Sequence, residues 1–260
     1  MTIRIMSSNI WGNCPGNRPI ANRDDLLAGV FKKYAPWTIG LQECSPKSRQ
    51  EENNIISLCG PEYFEWDPSP KEANNFTPIL YHRRLRAEDG GWFLFDGPND
   101  WNSKSVTWGL FSWENIRFIH INLHYFWEHT RQGEQAREQN SSQLFAFIQK
   151  LPYRQAPIIL TGDFNCEEYT QPLQMLLSYG FTLASDTAAQ KICSHHVYPE
   201  FDEKKQIYHS GSLFHPTRTA EDSIDHIFLQ NAVCKRFITI QDQEALDASD
   251  HCPIYADIKI

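Results

Sequence analysis

Apolar and polar positions along the 260-residue chain switch repeatedly between a period of two and a period near 3.6, and each switch predicts an element. Arg4 to Ile10 reads as a short strand. Asp24 to Tyr34 sets Leu27, Val30, Phe31 and Tyr34 on one helical face, with Asn22 as its cap. Trp37 to Leu41 reads as a buried strand ending at Gln42-Glu43, and Ser48 to Leu58 as a helix stopped by Cys59-Gly60-Pro61. Antiparallel strands follow at Pro78 to His82, Gly91 to Phe95, Ser105 to Trp113 and Arg117 to Leu123, with Glu114-Asn115 as a tight turn between the last two. Gln132 to Leu151 carries the clearest helical stripe, formed by Ala136, Gln143, Leu144, Phe147, Ile148 and Leu151.

Ile158 to Thr161 predicts a strand and Gln171 to Tyr179 a helix closed by Gly180. Residues 185–223 are polar and turn-rich and read mostly as loop. Ile224 to Leu229, Phe237 to Gln241 and Ile254 to Ile260 complete the strands. The last places Ile254, Ala256, Ile258 and Ile260 inward and Tyr255, Asp257 and Lys259 outward. Hairpins mixed with helical crossovers predict an α/β fold of two packed mixed β-sheets flanked by helices. No repeat, low-complexity tract or compositional break divides the chain, so one domain over residues 1–260 is expected. Neighbouring strands would end on a common rim, where loops can carry chemistry.

Composition narrows the choices. With 41% hydrophobic and 22% charged residues, the chain is not of a disordered class. No run reaches the ~18 apolar residues of a membrane span, and Met1 to Trp11 lacks the basic start and apolar stretch of a secretory signal. Lys and Arg total 24 against 32 Asp and Glu, a formal charge of −8 that disfavours tight non-specific binding to nucleic acid. The seven cysteines are scattered and form no C-x-x-C pair, which suggests free thiols in a reducing, cytoplasmic setting. Aromatic residues make up 13%, and Trp92, Trp101, Trp108, Trp113 and Trp127 either pack or stack a sugar, base or lipid headgroup.

The polar residues at predicted strand ends are consistent in type. Asn9 closes the first strand, Glu43 the second and His124 the strand from Arg117. Asp163 and Asn165 follow Ile158 to Thr161 within TGDFN, where the preceding Gly permits a tight turn. Asp225 opens Ile224 to Leu229, and Asp250-His251 lead into the final strand. Taken singly, each is equally at home as a turn, cap or satisfied core residue. Taken together, the oxygen donors suit a hard cation such as Mg²⁺ or Mn²⁺, and the imidazoles and amides suit a phosphate ester.

This ordered set resembles the endonuclease/exonuclease/phosphatase family of metal-dependent phosphoesterases. The stretches that carry the likeness are SSNIW (7–11), LQEC (41–44), INLHYFW (121–127), ILTGDFNCEE (159–168), SIDHIFL (223–229) and SDHCPI (249–254). PILYHRRL (78–85) and GWFLFDGP (91–98) are similar to its bacterial branch. The resemblance implies a four-layer α/β sandwich with its site at one end. It implies that Asn9 and Glu43 help hold a divalent metal, Mg²⁺ or alternatively Mn²⁺, and that Asp250 is a further ligand or steers a metal-bound water. His124 would contact the scissile phosphate, Asp163 would position or deprotonate water or assist the leaving group, and Asn165 would orient the nucleophile or a phosphate oxygen. Asp225 would fix the tautomer of His251, whose other nitrogen faces the phosphate.

Four positions depart from the family pattern. Ser223 stands where relatives carry Arg, Trp127 where a second His is common, Asn75 near an acidic support for the phosphate-binding His, and Asp96 in place of Glu. Asn75 and Trp127 are thereby candidate substrate-binding residues. The expected activity is hydrolysis of a phosphodiester or a phosphorylated small molecule by in-line attack of water. A binding module that kept the fold without catalysis is the alternative. A zinc hydrolase built on His120 and His124 lacks a third ligand and any H-E-x-x-H, and no G-x-S-x-G supports a serine hydrolase.

Overall fold

A computed structural model describes residues 1–12, 22–50, 53–196, 198–209 and 223–260. Two six-stranded mixed sheets lie face to face with helices outside. The first sheet holds β1 (Thr2–Asn9), β2 (Thr38–Gln42), β3 (Tyr63–Trp66), β4 (Ile79–His82), β13 (Val233–Thr239) and β14 (Ile254–Lys259), in the order β13-β14-β1-β2-β4-β3. The second holds β5 (Arg86–Leu94), β6 (Ser105–Trp113), β7 (Ile116–His124), β8 (Ile158–Asp163), β9 (Thr182–Leu183) and β12 (Asp225–Gln230), in the order β5-β6-β7-β8-β12-β9. A separate two-stranded hairpin pairs β10 (Glu200–Asp202) with β11 (Ile207–His209).

The same arrangement occupies the middle of each sheet. β1 runs parallel to β2 with Asn9 beside Gln42, and β7 runs parallel to β8 with His124 beside Asp163. Parallel neighbours end on the same side, so both pairs deliver their C-terminal residues to one rim. The flanking antiparallel strands β14 and β12 start at that rim, with Ser7 opposite Ile254 and Asp163 opposite Asp225. Topology thus gathers side chains from six strand ends.

Three apolar cores separate the four layers. Between the sheets pack Ile3, Ile5, Ile79, Phe111, Phe118, Ile159, Ile227, Ile254 and Ile258. Helix α1 (Arg23–Tyr34) buries Leu27, Val30 and Phe31 on the first sheet, together with α2 (Ile55–Cys59) and α5 (Gln243–Ala248). Helix α3 (Arg131–Ile148) and α4 (Gln171–Ser178) cover the second, through Leu144, Ile148, Leu173 and Leu176. Burying a side chain of this size contributes roughly 1.5–3 kcal/mol, so these stripes dominate docking of each helix.

Several expectations change in detail. Ser48–Leu58 is not one helix: a single 3-10 turn at Ser48–Gln50 precedes the short α2, whose cap is Asn54, accepting from the Ile56 and Ser57 N–H groups. Asn22 does not cap α1 with its side chain; its Oδ1 accepts the Tyr208 N–H instead. Tyr255 points outward from the sheet as the alternation predicts but is buried there, because α1 covers the outer face of β14. Gln143 is only half-buried on α3, and its amide bonds the Asp96 backbone. The β10–β11 hairpin stands within 185–223, where the sequence predicts mostly loop; residues 197 and 210–222 of that stretch lie outside the described residues. The strands β3 and β10 and the helix α5 are too short to show a period.

Candidate active site

A cavity of about 950 Å³ opens at the common rim. Glu43, His124, Trp127, Asp163, Asn165, Asp250 and His251 line it, whereas Asn9 and Asp225 sit immediately behind its wall. Asn9 Nδ2 donates to Asp163 Oδ2 at 3.0 Å and to Glu43 Oε1 at 3.3 Å, joining the two sheets through one amide. Its Oδ1 accepts the Trp11 N–H at 2.9 Å. Asp163 Oδ1 accepts the Asn165 N–H at 2.8 Å, and Asn165 Nδ2 donates to Tyr125 O at 3.1 Å. On the other side, His251 Nδ1 donates to Asp225 Oδ2 at 2.8 Å and its Nε2 lies 3.8 Å from Asp163 Oδ2. Glu43, Asn9, Asp163, His251 and Asp225 therefore form one unbroken chain of contacts.

Local backbone geometry explains how these side chains reach the rim. Glu43 and Asn165 both adopt left-handed φ values, 58° and 51°, which turn the chain sharply after β2 and β8. A non-glycine residue there costs on the order of 1–2 kcal/mol, a strain that clusters at functional sites. The turn after β8 is thus carried by Asn165. Gly162 serves close packing instead, since a Cβ on it would lie 2.5 Å from Leu123 O. Gly12 is required for a similar reason: a Cβ there would meet the Glu43 carbonyl oxygen at 2.1 Å.

Charge is distributed unevenly across the site. Burial pushes the Asp163 carboxyl up to about 7, with Asp225 adding to the rise and His251 opposing it. Asp250 is pushed up to about 6 by burial, against the opposing charge of His251 and with Glu43 adding to the rise. Burial alone would lower His251, but Asp225, Asp250 and the hydrogen bond to Asp225 outweigh it and hold the imidazole well above its ordinary value. Asp225 is lowered: burial opposes this, and the charge and hydrogen bond of His251 and the Ser194 hydroxyl prevail. His124 is driven well below its ordinary value by burial and then by the Lys104 and His251 charges, so its ring is neutral.

Other expected residues stand elsewhere. Asn75 is fully buried behind Phe76, donating to Asp67 Oδ1 and Thr107 Oγ1, and does not line the cavity. Trp92, Trp108 and Trp113 do not line it either, whereas Trp101 and Trp127 do, joined by Trp11 and Tyr198. Trp101, Trp127 and Tyr198 are all exposed. His120 is enclosed between the sheets and bonded to Thr161 Oγ1, away from His124's ring environment and from the cavity. Ser223 Oγ donates to Ile192 O and accepts the Ser194 N–H, bracing the segment beside β12.

Three contributors escaped the sequence reading. Ser194, fully buried, donates to Asp225 Oδ2 at 2.7 Å. His195 lies in the cavity with its ring 5.0 Å from that of His251 and its Nε2 3.9 Å from Asp250 Oδ2. Lys104 donates to His124 Nε2 at 3.1 Å. None sits in a motif with a local signal, since each acts through a neighbour distant in sequence. The oxygen-rich set of Glu43 and Asp250, two carboxylates close enough for one to raise the other, fits a hard divalent cation. His195, Asp250 and His251, and likewise Asp163, Asp225 and His251, bring ligand atoms within 4.8 Å of one another.

Residues 6–251 match the model of the Endonuclease/Exonuclease/phosphatase family. No curated protein sequence matches. Among solved structures, a mannosyl-6-phosphatase from Bacteroides thetaiotaomicron is similar with a TM-score of 0.75 at 20% identity, over 99% of this chain and 100% of that one. A family protein from the same organism gives 0.74 at 20% identity, over 99% and 95% of the two chains. D. rerio TDP2 complexed with single-strand DNA product gives 0.70 at 17% identity, over 100% and 99%. At these identities the likeness shows a shared fold.

Proposed function

We propose, from the premise that this chain belongs to the endonuclease/exonuclease/phosphatase family, that it is a divalent-metal-dependent phosphoesterase acting by in-line attack of water on a phosphate ester. The observation that carries the reading is the continuous chain of contacts from Glu43 through Asn9, Asp163 and His251 to Asp225. Glu43 and Asp250 would hold Mg²⁺ or Mn²⁺, and Asn9 orients Glu43 against Asp163. When bound, the cation supplies charge neutralisation at the phosphate and lowers the cost of attack.

The remaining work falls to the protein's own groups. Asp163, at about 7, is matched to accept a proton from the attacking water near neutral pH. Asn165, anchored through Nδ2, leaves its amide oxygen to orient that water. Asp225 holds His251 Nδ1–H, so the Nε2–H of the charged ring donates to a phosphate oxygen as negative charge builds. The exposed aromatic rim of Trp101, Trp127 and Tyr198 offers flat surfaces to the alcohol half of the ester, with a ring-bearing substrate the best fit. Buried free thiols at Cys44, Cys166 and Cys252 agree with a reducing, cytoplasmic setting.

A panel of phosphate esters (sugar phosphates, nucleotides, inositol phosphates, sphingomyelin, DNA and RNA) with Mg²⁺, Mn²⁺ and chelator tests the reading. Metal-dependent hydrolysis is expected, with Asp163→Asn and His251→Ala lowering kcat by roughly 10²–10⁴. Wild-type turnover in either variant would overturn it.

A further inference from the structure

The least expected charge in the cavity is Lys104. It is 4% exposed, yet it lines the cavity beside His124. An ammonium has three N–H donors and no acceptor. One donates to His124 Nε2 at 3.1 Å, and the nearest carboxylate oxygen, Asp100 Oδ1, stands 3.7 Å away and accepts no hydrogen bond. A buried cation with only a neutral imidazole in hydrogen-bond contact is costly unless an anion completes its shell.

The backbone holds this lysine firmly in place. Asn99 Nδ2 donates to Lys104 O at 2.8 Å, Asn99 Oδ1 accepts the Lys104 N–H at 2.9 Å, and the Phe95 N–H donates to Lys104 O at 3.1 Å. Within the loop so closed, Trp101 and Asn102 take left-handed φ values of 51° and 56°. The loop is thus strained where it carries Trp101 and Lys104 to the cavity. His124, facing Lys104 through Nε2, cannot give that nitrogen to a substrate while the contact lasts. The group presented to the cavity at this point is the ammonium.

We propose that Lys104 is a catalytic and specificity-determining residue that donates to a non-bridging oxygen of the substrate phosphate, with His124 behind it as the acceptor that aims it, and that this favours terminal phosphomonoesters over diesters. The inference rests on the phosphoesterase reading above. A monoester with its second pKa of about 6 carries close to two charges at pH 7, and a diester one, so a buried cation fixed in the cavity wall discriminates between them.

The test compares p-nitrophenyl phosphate with bis-p-nitrophenyl phosphate, under Mg²⁺, in wild-type protein and in Lys104→Met and Lys104→Arg. Lys104→Met is expected to lower kcat/KM on the monoester by roughly 10²-fold and on the diester by less than about 10-fold, with Lys104→Arg recovering part of the loss. Calorimetric titration with inorganic phosphate is expected to show roughly 10-fold weaker binding to Lys104→Met. Equal losses on both esters, or unchanged phosphate affinity, would overturn the proposal. Circular dichroism reports folding, and Lys104→Gln replaces Lys104→Met under the same criteria if the latter does not fold. Asp163→Asn serves as the separate control. If it is inert while Lys104→Met loses both esters equally, only the Lys104 role fails; if it turns over like wild type, the hydrolase reading itself fails.

Discussion

Gln42 Nε2, on the first sheet, donates to Asn122 Oδ1, on the second, across 2.6 Å of fully buried space. Asn122 Nδ2 in turn donates to Leu41 O, at 2.7 Å, and faces the Thr77 and Pro78 carbonyls, while Thr161 Oγ1 donates to Asn122 Oδ1 at 3.0 Å. The sandwich is therefore apolar through most of its depth and hydrogen-bonded just below the cavity. Apolar contacts are non-directional and tolerate sliding; a satisfied polar network does not. This network sits one residue from Glu43 and two from His124, so it fixes how the halves of the site meet.

Replacing Asn122 by Leu removes the shared acceptor of the Gln42 amide and the Thr161 hydroxyl and the side-chain donor to Leu41 O, leaving Gln42 Nε2 with Ser7 Oγ and Gly40 O and Thr161 Oγ1 with His120. Each lost buried hydrogen bond costs roughly 0.5–1.5 kcal/mol, so a loss of about 2–4 kcal/mol is expected in urea unfolding. Any Asn122→Leu protein that still folds should lose kcat more than KM rises, because the two sheets no longer hold register. Unchanged stability would show the network to be incidental.

Gly40 faces the same network. A Cβ on it would lie 2.3 Å from both Asn122 Oδ1 and Thr161 Oγ1, and neither can withdraw without breaking its bonds. Gly40→Ala should destabilise by roughly 1–3 kcal/mol, as overpacking does, measured by the shift in the urea midpoint. A gain in stability, the usual effect of Gly→Ala in a strand with room, would contradict the close approach.

His120 confers acid sensitivity unrelated to catalysis. Burial alone pushes its imidazole down to about 3, against an ordinary value of 6.5. Between those values the unfolded chain takes up a proton that the folded chain refuses, so stability falls as pH drops from about 6.5 toward 3 and is unaffected above. Each pH unit in that window is worth about 1.36 kcal/mol, giving roughly 2–3 kcal/mol by pH 4.5. Urea unfolding of His120→Gln at pH 7 and pH 4.5 should show a correspondingly smaller acid loss than wild type. Equal losses in the two proteins would show that His120 is protonated in the native state.

Asp225 is expected to act through His251. In Asp225→Asn the ring loses the carboxylate that raises its pKa, so its NMR titration midpoint should move down while burial continues to depress it. A fall in kcat of roughly 10²–10⁴ should accompany the shift, with little change in KM. An unmoved midpoint would separate the two residues functionally.

Glu43→Gln tests the cation. Removing one of two hard carboxylate donors should weaken Mn²⁺ binding, followed by calorimetry without substrate, by at least ~10²-fold. The circular dichroism spectrum should be unchanged, since Glu43 sits at a half-buried rim. Undiminished Mn²⁺ affinity would place the cation elsewhere.

The order of the longer strands and helices, and most of the residues at the rim, were legible in the chain alone. Periodicity located β6, β7, α3 and α4 closely, because long regular elements repeat their burial pattern often enough to be read. Asp163, Asp225 and His251 were legible because they border such strands within compact motifs. The tertiary structure decided what had no local signal. Ser194, His195 and Lys104 reach the site through His124, Asp225 and His251, partners 20 to 56 residues away, and only folding brings them there. It also decided that Asn75 faces Asp67 and that Tyr255 is covered, since pairing and layer contacts are set by the opposite surface. Side-chain alternation tells which way a residue points, but not what meets it there.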